Sequence, residues 1–262
     1  MGSNRATFRF YQELNDFLPP GRAGIEFEYR FFGNPAIKDS VEAIGVPHGE
    51  VDLILVNGVS VDFSYRLRDG DRASVYPEFE GLDVSSVTHL RAVPLRESRF
   101  ILDVHLGRLA RYLRLLGFDT LYRADYSDRA IIEIALAEGR NICTRDRGLL
   151  KARAVTHGYW IRNQDPREQT LEVIRRFDLA GSLAPFTRCV KCNGFLEDVA
   201  KADILDRIED GTRASFDRFR RCRACGSIFW EGSHFARMRD FVRDIQGRGS
   251  VVDQLNKKPL TE

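Results

Sequence analysis

The chain has 262 residues, 43% hydrophobic and 30% charged, which gives room for more than one domain and for real cores. No apolar run approaches the roughly 20 residues that cross a bilayer, and the opening Met-Gly-Ser-Asn-Arg-Ala-Thr-Phe-Arg-Phe holds no apolar signal core, so a cytoplasmic protein without membrane contact is expected. The net charge of +2 hides a division: residues 1–80 hold 8 Lys/Arg against 13 Asp/Glu and the remainder 32 against 25, and a basic second part suits an anionic partner such as RNA.

In residues 1–80, Ala-Thr-Phe-Arg-Phe and Ile-Glu-Phe-Glu-Tyr-Arg-Phe alternate apolar and polar side chains as half-buried strands do. A helix over Ile37 to Ile44 should end at Gly45, with Pro47 beyond it. Val-Asp-Leu-Ile-Leu-Val, Val-Asp-Phe-Ser-Tyr and Ala-Ser-Val-Tyr-Pro supply three further strands, separated by Asn57-Gly58 and Asp69-Gly70 turns. The resulting β-β-α-β-β-β order resembles a ubiquitin-like β-grasp. The run Gly-Val-Pro-His-Gly-Glu-Val-Asp is similar to the sulfur-carrier branch of that fold, the ThiS and MoaD-like proteins. Those carriers act through a free C-terminal Gly-Gly, whereas this chain continues past Glu80-Gly81-Leu82. An interaction module that engages a protein partner is therefore expected in place of a sulfur carrier.

Residues 81–98, of mixed polarity with Pro94, read as a linker. Residues 99–185 then read as alternating strands and helices. Phe-Ile-Leu leads to Asp103, and Leu106 to Gly117 is amphipathic, with Leu106, Leu109, Leu113 and Leu116 on one face and Arg108, Arg111 and Arg114 on another. A helix begins near Asp128, the strand Asn141 to Thr144 leads to Asp146, and a strand over His157 to Arg162 and a helix over Glu168 to Phe177 complete an α/β/α unit with a mostly parallel sheet.

Open α/β sheets collect ligand sites at the carboxyl ends of their strands. Asp103 and Asp146 stand at two such ends, and Asp128 lies in the first turn of the intervening helix. Converging carboxylates repel one another, and a bound Mg²⁺ or Mn²⁺, which prefers oxygen ligands, offsets that cost. Asp125 and Glu133 are alternatives for the third place, and Asp165 is a candidate fourth ligand. Arg108, Arg111, Arg145 and Arg147 lie close enough in sequence to these acids to hold RNA phosphates. Each of them can equally pair with a surface carboxylate.

Residues 186–245 hold Cys189-Val-Lys-Cys192 and Cys222-Arg-Ala-Cys225, two thiolate pairs that fill the tetrahedral sulfur shell Zn²⁺ prefers. With all four positions taken by protein, the ion should be structural. The gap between the pairs leaves room for a helical insert near Val199 to Ile208. Cys143, inside an apolar strand, reads as a small buried residue. Arg213, Arg218, Arg220, Arg221 and Arg223 interleave with Phe216, Phe219, Phe229 and Trp230, a composition that suits single-stranded RNA, with Arg220 and Arg221 as contact candidates. Most of these aromatics are expected to form the small ribbon's own core. Residues 246–262 read as a disordered tail.

The stretches Phe-Ile-Leu-Asp-Val-His-Leu-Gly-Arg-Leu-Ala-Arg-Tyr-Leu-Arg-Leu-Leu-Gly-Phe-Asp and Glu-Gly-Arg-Asn-Ile-Cys-Thr-Arg-Asp-Arg-Gly-Leu-Leu resemble the signatures of the Mut-seven C-terminal RNase family. The resemblance implies a PIN-like nuclease fold, a C-terminal zinc ribbon, an N-terminal ubiquitin-like domain in bacterial members, and metal-dependent ribonuclease activity. Asp103, Asp128 and Asp146 match the family's acidic positions; His105 departs from the apolar residue expected there and is given no role. The expectation is thus an α/β protein made of a β-grasp, a PIN-like α/β/α sandwich and a zinc ribbon, hydrolysing RNA with Mg²⁺ or Mn²⁺. The competing reading is a non-catalytic RNA-binding or ribosome-associated adaptor that uses the ribbon and β-grasp surfaces.

Overall fold

A computed structural model describes residues 3–77 and 98–256, with side chains described as far as residue 248. Apart from Ser98, the linker expected over 81–98 lies outside the described residues. The elements are β1 (Asn4–Phe10), β2 (Phe27–Phe31), α1 (Ile37–Ile44), β3 (Val51–Val56), β4 (Val59–Val61), β5 (Arg72–Pro77), β6 (Phe100–Leu102), α2 (Gly107–Leu115), β7 (Thr120–Leu121), α3 (Asp128–Glu138), β8 (Asn141–Thr144), α4 (Arg147–Leu150), β9 (Gly158–Trp160), α5 (Pro166–Arg176), β10 (Leu196–Val199), α6 (Asp210–Ser215), β11 (Phe219–Cys222), β12 (Ile228–Trp230) and α7 (Ser233–Asn256). They fall into two units, Met1–Glu97 with Ser127–Trp160, and Ser98–Tyr126 with Ile161–Glu262.

In the first unit a five-stranded sheet has the order β2-β1-β5-β3-β4, with β1 and β5 parallel and the other pairs antiparallel. Alternation along β1 puts Ala6, Phe8 and Phe10 into a core that also holds Leu14, Ile37, Val41, Ile54 and Leu67. Helix α1 contributes its apolar stripe and stops where expected. Gly45 follows at φ +129°, a conformation other residues rarely adopt. The strand expected over Val61 to Tyr65 instead occupies Val59–Val61, because the Asp62 carboxylate accepts from the Ser64 amide and hydroxyl at 2.7 and 2.6 Å and turns the chain. The same unit carries α3, β8, α4 and β9. Every residue of β8 is buried, Cys143 included, and β8 pairs in parallel with β9, which accounts for its unbroken apolar run.

In the second unit β6, buried throughout, pairs in parallel with β7. Helix α2 buries Leu109, Leu113 and Leu115, and the chain leaves it through Gly117 at φ +100°. A Cβ on Gly117 would sit 2.3 Å from the Ala184 carbonyl oxygen. Gly117→Ala therefore combines backbone strain with a clash against main chain and should cost about 3 kcal/mol of stability, read from urea midpoints.

Strands β10, β11 and β12 form an antiparallel ribbon whose core is Ile204, Ile208 and Phe219, packed by Phe216 and Ile228. The expected insert is present as a 3-10 helix, Lys201–Arg207, followed by α6. Helix α7 continues through Asn256, past residue 246 where a disordered tail is expected. Arg248 donates to both Glu168 oxygens, at 2.9 and 3.0 Å, which ties this turn to α5. The protein is thus mixed α/β, with an N-terminal ubiquitin-like sheet, central parallel strand pairs flanked by helices, and a C-terminal cysteine-bearing ribbon.

Candidate functional site

Asp103 follows β6 directly and is buried; its carboxylate accepts from the Val104 amide and caps the 3-10 turn Val104–Leu106. Asp146 comes two residues after β8, with its amide held by the Thr144 hydroxyl at 2.8 Å. Its Oδ1 accepts from the Gly148 amide at 2.7 Å, so it caps α4. Asp128 is the exposed first residue of α3, whose cap is Ser127, accepting from the Ala130 amide at 3.2 Å. Asp103 thus belongs to the second unit, Asp128 and Asp146 to the first.

The three weaker candidates are already engaged. Asp125 is held by both nitrogens of the Arg123 fork, which keep its carboxyl below the usual range. Glu133 pairs with Arg129 one turn away at 2.7 Å, and Asp165 caps α5 by accepting from the Arg167 and Glu168 amides. The Asp128 carboxylate has no such partner among the described residues.

The arginines divide in the same way. Arg108, Arg111 and Arg145 are exposed, with no carboxylate partner among the described residues. Arg147 is packed: its guanidinium lies 3.9 Å from the Trp160 ring centroid and 5.0 Å from that of Phe17. Arg220 and Arg221 face Asp198 and Glu197 across the β10–β11 register and pair with them at 2.9 and 2.7 Å. Arg223 shares Glu197 at 3.0 Å.

Among the described residues, the group of possible metal ligands gathered at one point is Cys189, Cys192, Cys222 and Cys225, whose sulfurs all lie within 4.8 Å of one another. Two of these separations are 3.8 Å (Cys189–Cys225) and 3.4 Å (Cys192–Cys222). A tetrahedral zinc with Zn–S bonds of about 2.3 Å sets its sulfurs about 3.8 Å apart, so the quartet fits such an ion. Each knuckle closes with a left-handed residue, Asn193 at φ +74° and Gly226 at φ +70°. Without metal, burial pushes the Cys189 thiol up to about 12. Zinc must therefore displace protons on binding, and its affinity should fall steeply from pH 8 to pH 6; competition with a chromogenic chelator measures this.

Beside the ribbon lies a cavity of about 660 Å³, lined in part by Phe186, Arg218, Phe229, Trp230, Glu231 and Phe235. Phe219 belongs to the ribbon core, whereas Trp230 is 40% exposed.

Residues 98–242 match the Mut7-C RNAse domain, and residues 3–83 match the Mut7-C ubiquitin domain. The chain belongs to the Mut7-C RNAse domain family. It is also similar to the human (Homo sapiens) exonuclease mut-7 homolog, 24% identical over 231 residues, in an alignment that takes in 58% of this chain and 26% of that protein. The chain therefore spans about a quarter of that relative's length. Among the described residues no helix is long and apolar enough to cross a membrane.

Within the Mut7-C match, the first knuckle is built into the α2–β7 turn, a feature the sequence pattern does not reveal. Arg114, which helical spacing places on an arginine stripe, is buried. It donates to the carbonyls of Thr120 at 2.8 Å and Lys191 at 3.0 Å, with longer contacts to those of Val190 and Tyr122. Asn193 accepts from the Thr120 amide at 3.0 Å and donates to Asp119 at 2.8 Å. Arg188 reaches the Gly117 and Asn193 carbonyls at 3.2 and 3.0 Å. In this Mut7-C chain the cysteine ribbon is thus continuous with the α2–β7 half of the RNAse domain.

Proposed function

We propose that this protein is a ribonuclease that hydrolyses RNA phosphodiester bonds with Mg²⁺ or Mn²⁺ held by Asp103, Asp128 and Asp146. The observation that carries the reading is the match to an RNAse family across residues 98–242, a span that contains all three aspartates. Their chemistry suits the metal: carboxylate oxygens are the donors these hard cations prefer. When bound, the ion would neutralise charge on the phosphoryl group and lower the pKa of an attacking water. The chain's part is to hold the carboxylates. Asp103 is fixed by its bond to the Val104 amide, Asp146 by its cap on α4, and Asp128 presents an exposed carboxylate at a helix start.

Arg108, Arg111 and Arg145 are proposed to take the phosphates, because no carboxylate among the described residues holds them. Arg147 would contribute what its stacking leaves accessible. Arg220 and Arg221 would meet RNA through guanidinium edges not occupied by Asp198 and Glu197. The cysteine quartet is proposed to carry a structural zinc, and the β-grasp to offer a surface to a protein partner. Incubating purified protein with single-stranded RNA and Mn²⁺ tests the reading: cleavage products are expected, and none should form in EDTA.

The adaptor reading draws on one observation: Asp146 already has a structural task as the cap of α4. It predicts RNA binding that weakens steeply with salt and no turnover with any divalent ion.

A further inference from the structure

Within the first unit, the loop that carries Asp146 is held by Trp160 of β9 and by the 3-10 turn Gln12–Phe17 of the ubiquitin-like module. On one side of Asp146, the Arg145 carbonyl accepts from Trp160 Nε1 at 3.2 Å. On the other, the Arg147 guanidinium lies 3.9 Å from the Trp160 ring centroid and 5.0 Å from that of Phe17, covering a ring pair whose own centroids are 5.2 Å apart, and reaches the Asp16 carbonyl at 3.5 Å. Phe17 closes the 3-10 turn Gln12–Phe17 and sits in the β-grasp core, against which Trp160 also packs. Trp160 is fixed in turn, because its amide donates to the buried carboxylate of Glu50.

The contacts continue along the same stretch. His48 Nε2 donates to the Val155 carbonyl at 2.7 Å, and Lys151 reaches the Glu42 carbonyl at 3.3 Å. A Cβ on Gly49 would stand 3.2 Å from Val155 Cγ1, so the chain approaches closely there. The Pro47-His48-Gly49-Glu50 turn, part of the motif similar to sulfur carriers, thus serves as a clamp on residues 150–160.

We propose that the β-grasp module is a positioning element of the nuclease: Phe17, acting through Arg147 and Trp160, sets the loop that presents Asp146. The proposal rests on the reading of Asp146 as a metal-holding carboxylate. Phe17 and Arg147 are positioning residues. A guanidinium seated on two aromatic rings that also touch each other has its direction and distance restricted, which limits the backbone at Asp146 beside it.

The test uses the full chain with Phe17→Leu, which keeps an apolar filler and removes the ring, and Arg147→Lys, which keeps charge and removes the planar stack. Amide exchange over residues 145–150 should quicken on the order of tenfold in both, more than exchange in β1 and β3, and Arg147→Lys should keep the wild-type thermal midpoint whereas Phe17→Leu, a core truncation, lowers it modestly. With RNA and Mn²⁺, kcat should fall on the order of tenfold in both variants, at unchanged KM in Phe17→Leu, and the Mn²⁺ concentration for half-maximal rate should rise. The double variant should fall no further than the worse single one, because both changes break the same cluster of Arg147, Trp160 and Phe17.

Unchanged exchange over 145–150, additive losses in the double variant, or quickened exchange at wild-type kcat would each overturn the proposal. An inactive wild-type protein would instead defeat the nuclease reading of Asp146, and the exchange data would still decide whether the β-grasp orders this loop.

Discussion

Cys222→Ser is expected to abolish zinc retention and the cooperative unfolding transition of the second unit. Cys222 is buried at the end of β11, and its amide donates to the Ser227 carbonyl at 2.9 Å, so it anchors both the knuckle and the ribbon sheet. Structural zinc contributes about 10–16 kcal/mol to small cysteine-ligated folds, comparable to the whole stability of an ordinary domain, about 5–15 kcal/mol. Losing one thiolate of four should therefore unfold the ribbon. The damage should spread through Arg114, Arg188 and Asn193, because the Val190 and Lys191 carbonyls and the Asp119 carboxylate would lose their partners at the α2–β7 turn. Metal analysis should give one zinc per wild-type chain and none in the variant, and near-UV circular dichroism should show the lost tertiary packing. A variant without zinc that keeps the wild-type transition would mean that the ribbon is dispensable to the fold.

The second large effect is on catalysis. Asp103→Asn and Asp146→Asn should each lower RNA cleavage on the order of 10³-fold, with unfolding midpoints close to wild type. Asparagine keeps an oxygen that can accept from the Val104 or Gly148 amide, so the local caps survive while the charge that holds a cation is gone. Asp125→Asn is the matched control. Asp125 is tied to Arg123 on an exposed surface, and its replacement should leave the rate within about twofold, as expected for a surface pair of little energetic weight. Equal activity in all three variants would remove the aspartates from the mechanism.

Periodicity made much of this architecture legible. The alternation in β1, the amphipathic run before Gly117, the apolar run ending at Thr144 and the paired Cys-x-x-Cys motifs each have a local physical cause, and each appears close to where it was expected. Contacts between residues far apart in sequence were not legible. Arg114 sits on a helix that reads as basic on one side, yet besides the nearby Thr120 and Tyr122 carbonyls its partners are those of Val190 and Lys191, 76 and 77 residues away, and nothing near Arg114 announces them. Phe17 and Trp160 look like ordinary core aromatics until Arg147 is seen to lie over the pair. The ribbon arginines read as free charge because their neutralisation depends on strand register. Only the alignment of β10 with β11 sets Glu197 opposite Arg221 and Asp198 opposite Arg220. Short elements escaped for a different reason: α4 spans four residues and the turn at Gln12–Phe17 six, too few to display a period.

The central claim is that this Mut7-C chain turns over RNA with a divalent metal. Its most direct test is a time course of single-stranded RNA with protein stripped of loosely held divalent ions, run with and without added Mn²⁺. Products should accumulate beyond one equivalent of enzyme, only in the presence of Mn²⁺. Tight, salt-sensitive RNA binding with intact RNA at every Mn²⁺ concentration would contradict it and leave the adaptor reading in its place.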